Sequence, residues 1–300
     1  MVCGKIRLTP WLMNASSFGC INALAKVKCV AAGGKHALLV DGAGGVWSWG
    51  VNSAGQLGIE GSRTLLEPTR IQVLRRAASK VAAGQEHSMV LTAAPEPKVY
   101  SFGRNDLFQL GLNHQHNQAS PQQITSFVTP LVIHDIAAGS HHSLCSTSQC
   151  MHAGLRFGSW KEGTLKDGQP LRQIFAWGNN SAGQCGNGTQ DTVKVPHLWG
   201  SDLYANEHKV LPRNRRDTLN AHNLAATLLL GPVLKISAGD AHTAIVTADG
   251  SVWVCGSGRR GQLGLTVAPP PAVHEEGVKD DSGDVSPSEA EGGGGGRERG

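Results

Sequence analysis

Val30-Ala-Ala-Gly33-Gly-Lys-His36, followed by Val46-Trp-Ser-Trp49-Gly50-Val-Asn52-Ser-Ala-Gly55-Gln56-Leu57-Gly58, is a cassette that this chain uses four times. It returns as Val81-Ala-Ala-Gly84-Gln-Glu-His87, with Val99-Tyr-Ser-Phe102-Gly103-Arg-Asn105 and Gln109-Leu110-Gly111. The third copy runs Ile136-Ala-Ala-Gly139-Ser-His-His142, then Phe175-Ala-Trp177-Gly178-Asn-Asn180-Ser-Ala-Gly183-Gln184-Cys185-Gly186. The fourth is Ile236-Ser-Ala-Gly239-Asp-Ala-His242, then Val252-Trp253-Val-Cys255-Gly256 and Gly261-Gln262-Leu263-Gly264. The marker glycines Gly33, Gly84, Gly139 and Gly239 are separated by steps of 51, 55 and 100 residues. A period near ~50 suits propeller blades and is too long for most helical repeats. The long step is one unit carrying two insertions, at about 143–174 and 187–231.

Each cassette reads as strands. Thr243–Thr247 and Ser251–Cys255 are β-rich runs joined by Ala248-Asp249-Gly250, a hairpin signal. Ala37–Val40 and Val46–Trp49 flank a longer glycine turn, Asp41 to Gly45. One such small sheet cannot bury both faces, whereas several stacked around an axis can. The expected fold is therefore an all-β propeller over residues 1–268. Its cassettes lie at about 30–58, 81–111, 136–186 and 236–264. A disordered Pro/Gly/acidic tail is expected over 269–300.

Composition agrees with many tight turns: 39 of 300 residues are glycine, against a usual share of about 7%. The formal charge is +4. From Ala272 onward eight acids face three bases, net −5, which leaves +9 on residues 1–271. That is mildly basic and well short of a dedicated nucleic-acid binder. Seven cysteines without a regular framework argue for a reducing compartment, and Cys145 with Cys150 has no second pair to complete a metal site. Residues 1–10 lack the apolar core of a signal peptide, and no stretch approaches the length of a membrane span. The expected location is cytoplasmic or nuclear, not secreted, with no membrane association.

The alternation of Ala-Ala-Gly-x-x-His with Trp-Gly-x-Asn-x-x-Gly-Gln-Leu-Gly resembles the regulator of chromosome condensation repeat, over roughly residues 20–265. No tryptophan is followed by aspartate, as a tryptophan–aspartate repeat requires. The resemblance implies a seven-bladed ring. With four full cassettes, this chain looks like an incomplete or divergent member with two long loop insertions. Met1-Val-Cys-Gly4 echoes Val254-Cys-Gly256 and could help close a ring. An open edge would invite pairing with another chain.

Several residues recur at fixed places: Gly33, His36, Trp49, Gly50, Gly84, His87, Phe102, Gly103, Gly139, His142, Trp177, Gly178, Gly239, His242, Trp253 and Gly256. The histidines, one per blade, should lie too far apart to share an ion. They are expected to satisfy backbone groups at a turn within their own blade. The aromatics, Trp47 among them, are expected to pack between sheets and not to stack bases. Partner contacts are expected in the insertions, at Arg156 and Trp160 in the first, and Lys209, Arg213, Arg215 and Arg216 in the second.

No Gly-x-Ser-x-Gly elbow, phosphate-cradling loop or His-Glu-x-x-His is present, so no catalytic, cofactor-binding or metal-binding residues are expected. The leading expectation is a non-enzymatic protein–protein interaction scaffold. The family resemblance implies an alternative, guanine-nucleotide exchange on a Ran-type small GTPase. A weaker one is chromatin or DNA association, which the acidic tail disfavours.

Overall fold

A computed structural model describes residues 26–61, 63–127, 131–149, 172–199 and 233–265. All regular structure there is β: fifteen strands in four antiparallel sheets. The first blade is β1 (Val27–Ala32), β2 (His36–Asp41), β3 (Val46–Val51) and β4 (Thr64–Arg70). The second is β5 (Ala78–Ala83), β6 (His87–Thr92), β7 (Val99–Gly103) and β8 (Gln118–Gln123). The third is β9 (Leu131–Ala138), β10 (His142–Gln149), β11 (Arg172–Gly178) and β12 (Val193–Leu198). The fourth has three described strands, β13 (Val233–Ala238), β14 (His242–Thr247) and β15 (Val252–Gly256). Within every blade, sequence neighbours are sheet neighbours. The fold is the expected β-propeller arrangement.

The two halves of the cassette meet in one register. His36 stands opposite Gly50, His87 opposite Gly103, His142 opposite Gly178 and His242 opposite Gly256. Those glycines have φ of 107°, 105°, 103° and 105°, a region that a side chain rarely adopts. The hairpin turns of the first and fourth blades are locked by aspartates, Asp41 and Asp249. Asp41 Oδ1 accepts from the backbone N–H of Ala43 and Gly45, and its Oδ2 accepts from Trp47 Nε1 at 2.8 Å.

Inner strands carry the stacking: β1 and β2 lie against β5, β5 and β6 against β9, and β9 and β10 against β13. One apolar cluster (Leu38, Val40, Val46, Ile71, Val81, Val90, Phe102) joins blades one and two. A larger one around Met89, Ile136, Leu144, Ile174, Trp177, Ile236 and Ile245 joins blades two to four. Burial reports position in the array. All six residues of β6 are buried, because a blade covers each face. In β14 burial alternates, with Thr243, Ile245 and Thr247 covered and His242, Ala244 and Val246 less so.

The insertions are narrower than their sequence bounds suggested. The first begins after β10 and ends before β11, so it extends a hairpin whose arms include residues 143–149 and 172–174. The second begins after β12, the third blade's own fourth strand, and leads to β13.

Candidate functional site

The recurring polar residues form three equivalent joints between blades. The Nε2 of His36 lies 2.8 Å from Ser88 Oγ, that of His87 2.9 Å from Ser143 Oγ, and that of His142 3.0 Å from Thr243 Oγ1. Each hydroxyl belongs to the next blade, one residue past its equivalent histidine. Each also donates to a backbone carbonyl of the preceding blade: Ser88 to Gln56 (2.7 Å), Ser143 to Gln109 (2.8 Å) and Thr243 to Gln184 (2.8 Å). A carbonyl oxygen only accepts, so the hydroxyl hydrogen is committed there. The imidazole must therefore donate through Nε2–H. The expectation that each histidine serves a turn in its own blade is corrected: its ring reaches across the interface, while its carbonyl serves the turn. The carbonyls of His36, His87, His142 and His242 accept from the N–H of Gly33, Gly84, Gly139 and Gly239 at 2.8–2.9 Å.

That tautomer leaves Nδ1 as the lone-pair nitrogen, and in His36, His87 and His142 it is buried without a partner. It faces the marker glycine, where an added Cβ would collide with the ring. The Ala-Ala-Gly-x-x-His spacing is thus a matter of space: the glycine makes room for the imidazole that follows it. Burial drives the three histidines down, to about 4 for His36, about 3 for His87 and about 4 for His142. The rings are neutral spacers.

The Gly-x-Asn-x-x-Gly-Gln-Leu-Gly loop holds its own shape and presents the carbonyl. Asn52, Asn105 and Asn180 accept through Oδ1 from the N–H of Leu57, Leu110 and Cys185 (2.8–3.0 Å). Their Nδ2 groups donate to the carbonyls of Ile59, His114 and Thr189. Gln56, Gln109 and Gln184 are buried and accept through Oε1 from the N–H two residues earlier.

The aromatic beside the register glycine completes the joint. Phe102 and Trp177 are fully buried, and Trp177 Nε1 donates to the same Gln109 carbonyl at 3.0 Å. At the third joint Cys255 takes that position, with its thiol 3.4 Å from the Gln184 carbonyl. Trp199, just past β12, is buried against Gly186 and occupies the space where the other joints carry Phe102 and Trp177. Trp49 is half-buried, and Trp253 is 40% exposed, so the packing expected of the aromatics holds least at the outer blades.

The two ends of the array differ. Blade one has Ala37 after its histidine, where the others have Ser88, Ser143 and Thr243. Blade four carries His242 and Gln262 to offer onward, and Gln262 is exposed. Sequence reasoning singled out the histidines but missed their hydroxyl partners; the column Ala37, Ser88, Ser143, Thr243 was the available signal.

Among the described residues no group of three or more His, Cys, Asp or Glu could hold a metal ion. A cavity of about 390 Å³ between the loops of blades one and two is lined by Asn52, Gly55, Ile59, Arg63, Asn117 and Ala119. Arg156, Trp160, Lys209, Arg213, Arg215 and Arg216 lie outside the described residues, as do Met1–Gly4 and the tail from 269.

A model of the "Regulator of chromosome condensation (RCC1) repeat" matches residues 43–91, 98–146 and 173–203. A second model of the same description matches 27–56 and 233–262. Together they cover more than half of the chain. The chain is 33% identical over 250 residues to the human "Probable E3 ubiquitin-protein ligase HERC6", covering 81% of this chain and 19% of that protein. It is 30% identical over 170 residues to the mouse "X-linked retinitis pigmentosa GTPase regulator", covering 56% and 15%. Among solved structures, human WBSCR16 superposes with a TM-score of 0.55 at 21% identity, over 78% of this chain and 49% of that one. The chain thus spans less than a fifth of the length of either curated relative.

Proposed function

Because this chain belongs to the regulator of chromosome condensation repeat family, we propose that it is a non-enzymatic protein–protein interaction scaffold, acting in the cytoplasm or nucleus. The observation that carries this reading is the use made of its recurring polar side chains. The buried imidazoles, hydroxyls and amides are engaged in joining blades or shaping loops. What varies between blades is the sequence outside the joints: the two insertions, and a fourth blade with three strands among the described residues. Variable surface on a rigid repeat scaffold is where partner contacts reside. In this reading Arg156 and Trp160, and the cluster Lys209, Arg213, Arg215 and Arg216, meet an acidic or phosphate-bearing partner surface. Residues 1–268 serve as the scaffold and 269–300 as a tail.

The name of the mouse relative, a GTPase regulator, favours a second reading, nucleotide exchange on a small GTPase. Release of labelled GDP from a Ran-type GTPase separates the two. A scaffold leaves the release rate unchanged at substoichiometric protein. A clear acceleration there would replace the scaffold with an exchange factor.

A further inference from the structure

The third joint departs from the other two at two facing positions. The loop residue that follows the buried glutamine is Leu57 in the first joint, Leu110 in the second and Cys185 in the third. The residue before the register glycine is Phe102, then Trp177, then Cys255. Both change to cysteine at the same interface, one on blade three and one on blade four, while Trp199 supplies the bulk that is lost. Packing alone does not call for the pair, because leucine and an aromatic serve the other joints.

Two contacts set the dipeptides Gln184-Cys185 and Cys255-Gly256 against each other. The Cys255 thiol lies 3.4 Å from the Gln184 carbonyl, whose carbon is bonded to the Cys185 nitrogen. A Cβ built on Gly256 would stand 3.1 Å from the Gln184 Cβ. Both thiols are free. Burial raises the pKa of each, and Cys255 adds to the rise at Cys185, so the two sense each other. Trp199 Nε1 is buried with no oxygen or nitrogen to donate to, and its N–H works on the Cys255 sulfur, opposing part of that rise. An N–H beside a sulfur stabilises the thiolate. Cys255 is half-buried and Cys185 is 1% exposed, so a small oxidant meets Cys255 first.

We propose that Cys185 and Cys255 form a reversible disulfide, a redox latch that fastens blade four to blade three. The co-reactant is a low-molecular-weight disulfide such as oxidised glutathione. The Cys255 thiolate attacks one of its sulfurs and expels one glutathione thiolate, leaving glutathione joined to Cys255. The Cys185 thiolate then attacks the Cys255 sulfur, forming the protein disulfide and releasing the second glutathione. Two protein thiols lose two protons and two electrons, and one oxidised glutathione becomes two reduced ones. In the closed array both thiols are protonated and slow. The reaction runs when blade four opens locally, and the bond then holds the blade shut. It closes a loop that includes the segment between β12 and β13, which restrains reopening. The latch does not depend on what the scaffold binds.

To test this, the full-length chain is equilibrated in glutathione buffers from reducing to oxidising, its remaining thiols are alkylated, and unreduced peptides are mapped by mass spectrometry. The expected result is a peptide joining Cys185 to Cys255 that is lost again in reduced glutathione. Amide exchange in β14 and β15 should slow at least tenfold while the bond persists. Cys185→Ala should halt the reaction at the glutathione adduct on Cys255, and Cys255→Ala should leave Cys185 unmodified. Mapping of the unaltered chain decides the matter if neither variant folds. Thiols that both stay reduced until Cys145, fully buried in β10, is also oxidised would overturn the proposal, since the array would then be unfolding. So would pairing of either cysteine with any other, or a Cys185–Cys255 bond that leaves exchange unchanged.

Discussion

The imidazole of His87 donates through Nε2 to the hydroxyl of Ser143, 2.9 Å away and 56 residues along the chain. Ser143 in turn donates to the carbonyl of Gln109, which lies in the same blade as His87. Two residues of one blade thus hold a single hydroxyl of the next, one from each side of its hydrogen-bonding capacity. The hydroxyl has no freedom left to reverse its role.

Removing that hydroxyl should be costly. Ser143→Ala strands a buried N–H and takes a donor from the Gln109 carbonyl, so a loss of about 1–3 kcal/mol is expected. Ala37→Ser places a hydroxyl where no described histidine arrives and should stay within about 0.5 kcal/mol of the parent. Urea unfolding midpoints of the two variants check the contrast. Equal midpoints would mean that the joint contributes nothing.

Acid should loosen the array before it affects carboxylates. The histidines of the three joints titrate near 6.5 when unfolded, and burial lowers them to about 4, 3 and 4 in the fold. Between those values the unfolded chain binds protons that the folded chain refuses. Stability is therefore complete above pH 6.5 and is lost as pH falls toward 4. Thermal midpoints should be level from pH 8 to 7 and decline below 6.5, with a shallower decline in His87→Gln. A level profile down to pH 5 would contradict neutral, buried rings.

The marker glycine and its histidine should be coupled. In Gly84→Ala the new methyl meets the His87 ring, an overpacking cost of about 1–3 kcal/mol. Once His87→Ala has removed the ring, the same methyl still meets the Gly139 carbonyl, so only the ring's share of the cost is relieved. The double variant should be less destabilised than the two single changes combined, which a double-mutant cycle measures directly.

Trp177 separates hydrogen bonding from packing. Trp177→Phe keeps a ring like that of Phe102 and loses the 3.0 Å bond to Gln109, for about 1 kcal/mol. Trp177→Ala also empties a fully buried site, for about 3–5 kcal/mol. A phenylalanine variant as unstable as the alanine variant would assign the whole effect to the indole N–H.

Much of this architecture is legible in the chain. The hairpins at Asp41–Gly45 and Ala248–Gly250 announce themselves through turn residues, and glycine at 50, 103, 178 and 256 marks a fixed register. Fourth strands are harder to read. Pro68, Pro121 and Pro196 argue against a strand unless a bulge at a sheet's outer edge absorbs them, as it does here. The joint is harder still, because spacing gives a histidine's place along its own strand and not the blade its ring enters. Only the residue after each histidine hints at a cross-blade acceptor. Trp199 fills the space left because Cys255, 56 positions later, stands where other blades carry an aromatic, and no local pattern connects those two.

The number of joints each blade makes also sets the order in which the array should come apart. Blades two and three are gripped on both sides, through His36–Ser88, His87–Ser143 and His142–Thr243. Among the described residues, blades one and four are each gripped once. Loss of structure should then travel inward like a fraying rope, with native-state exchange reaching β2 and β14 first and the fully covered β6 last.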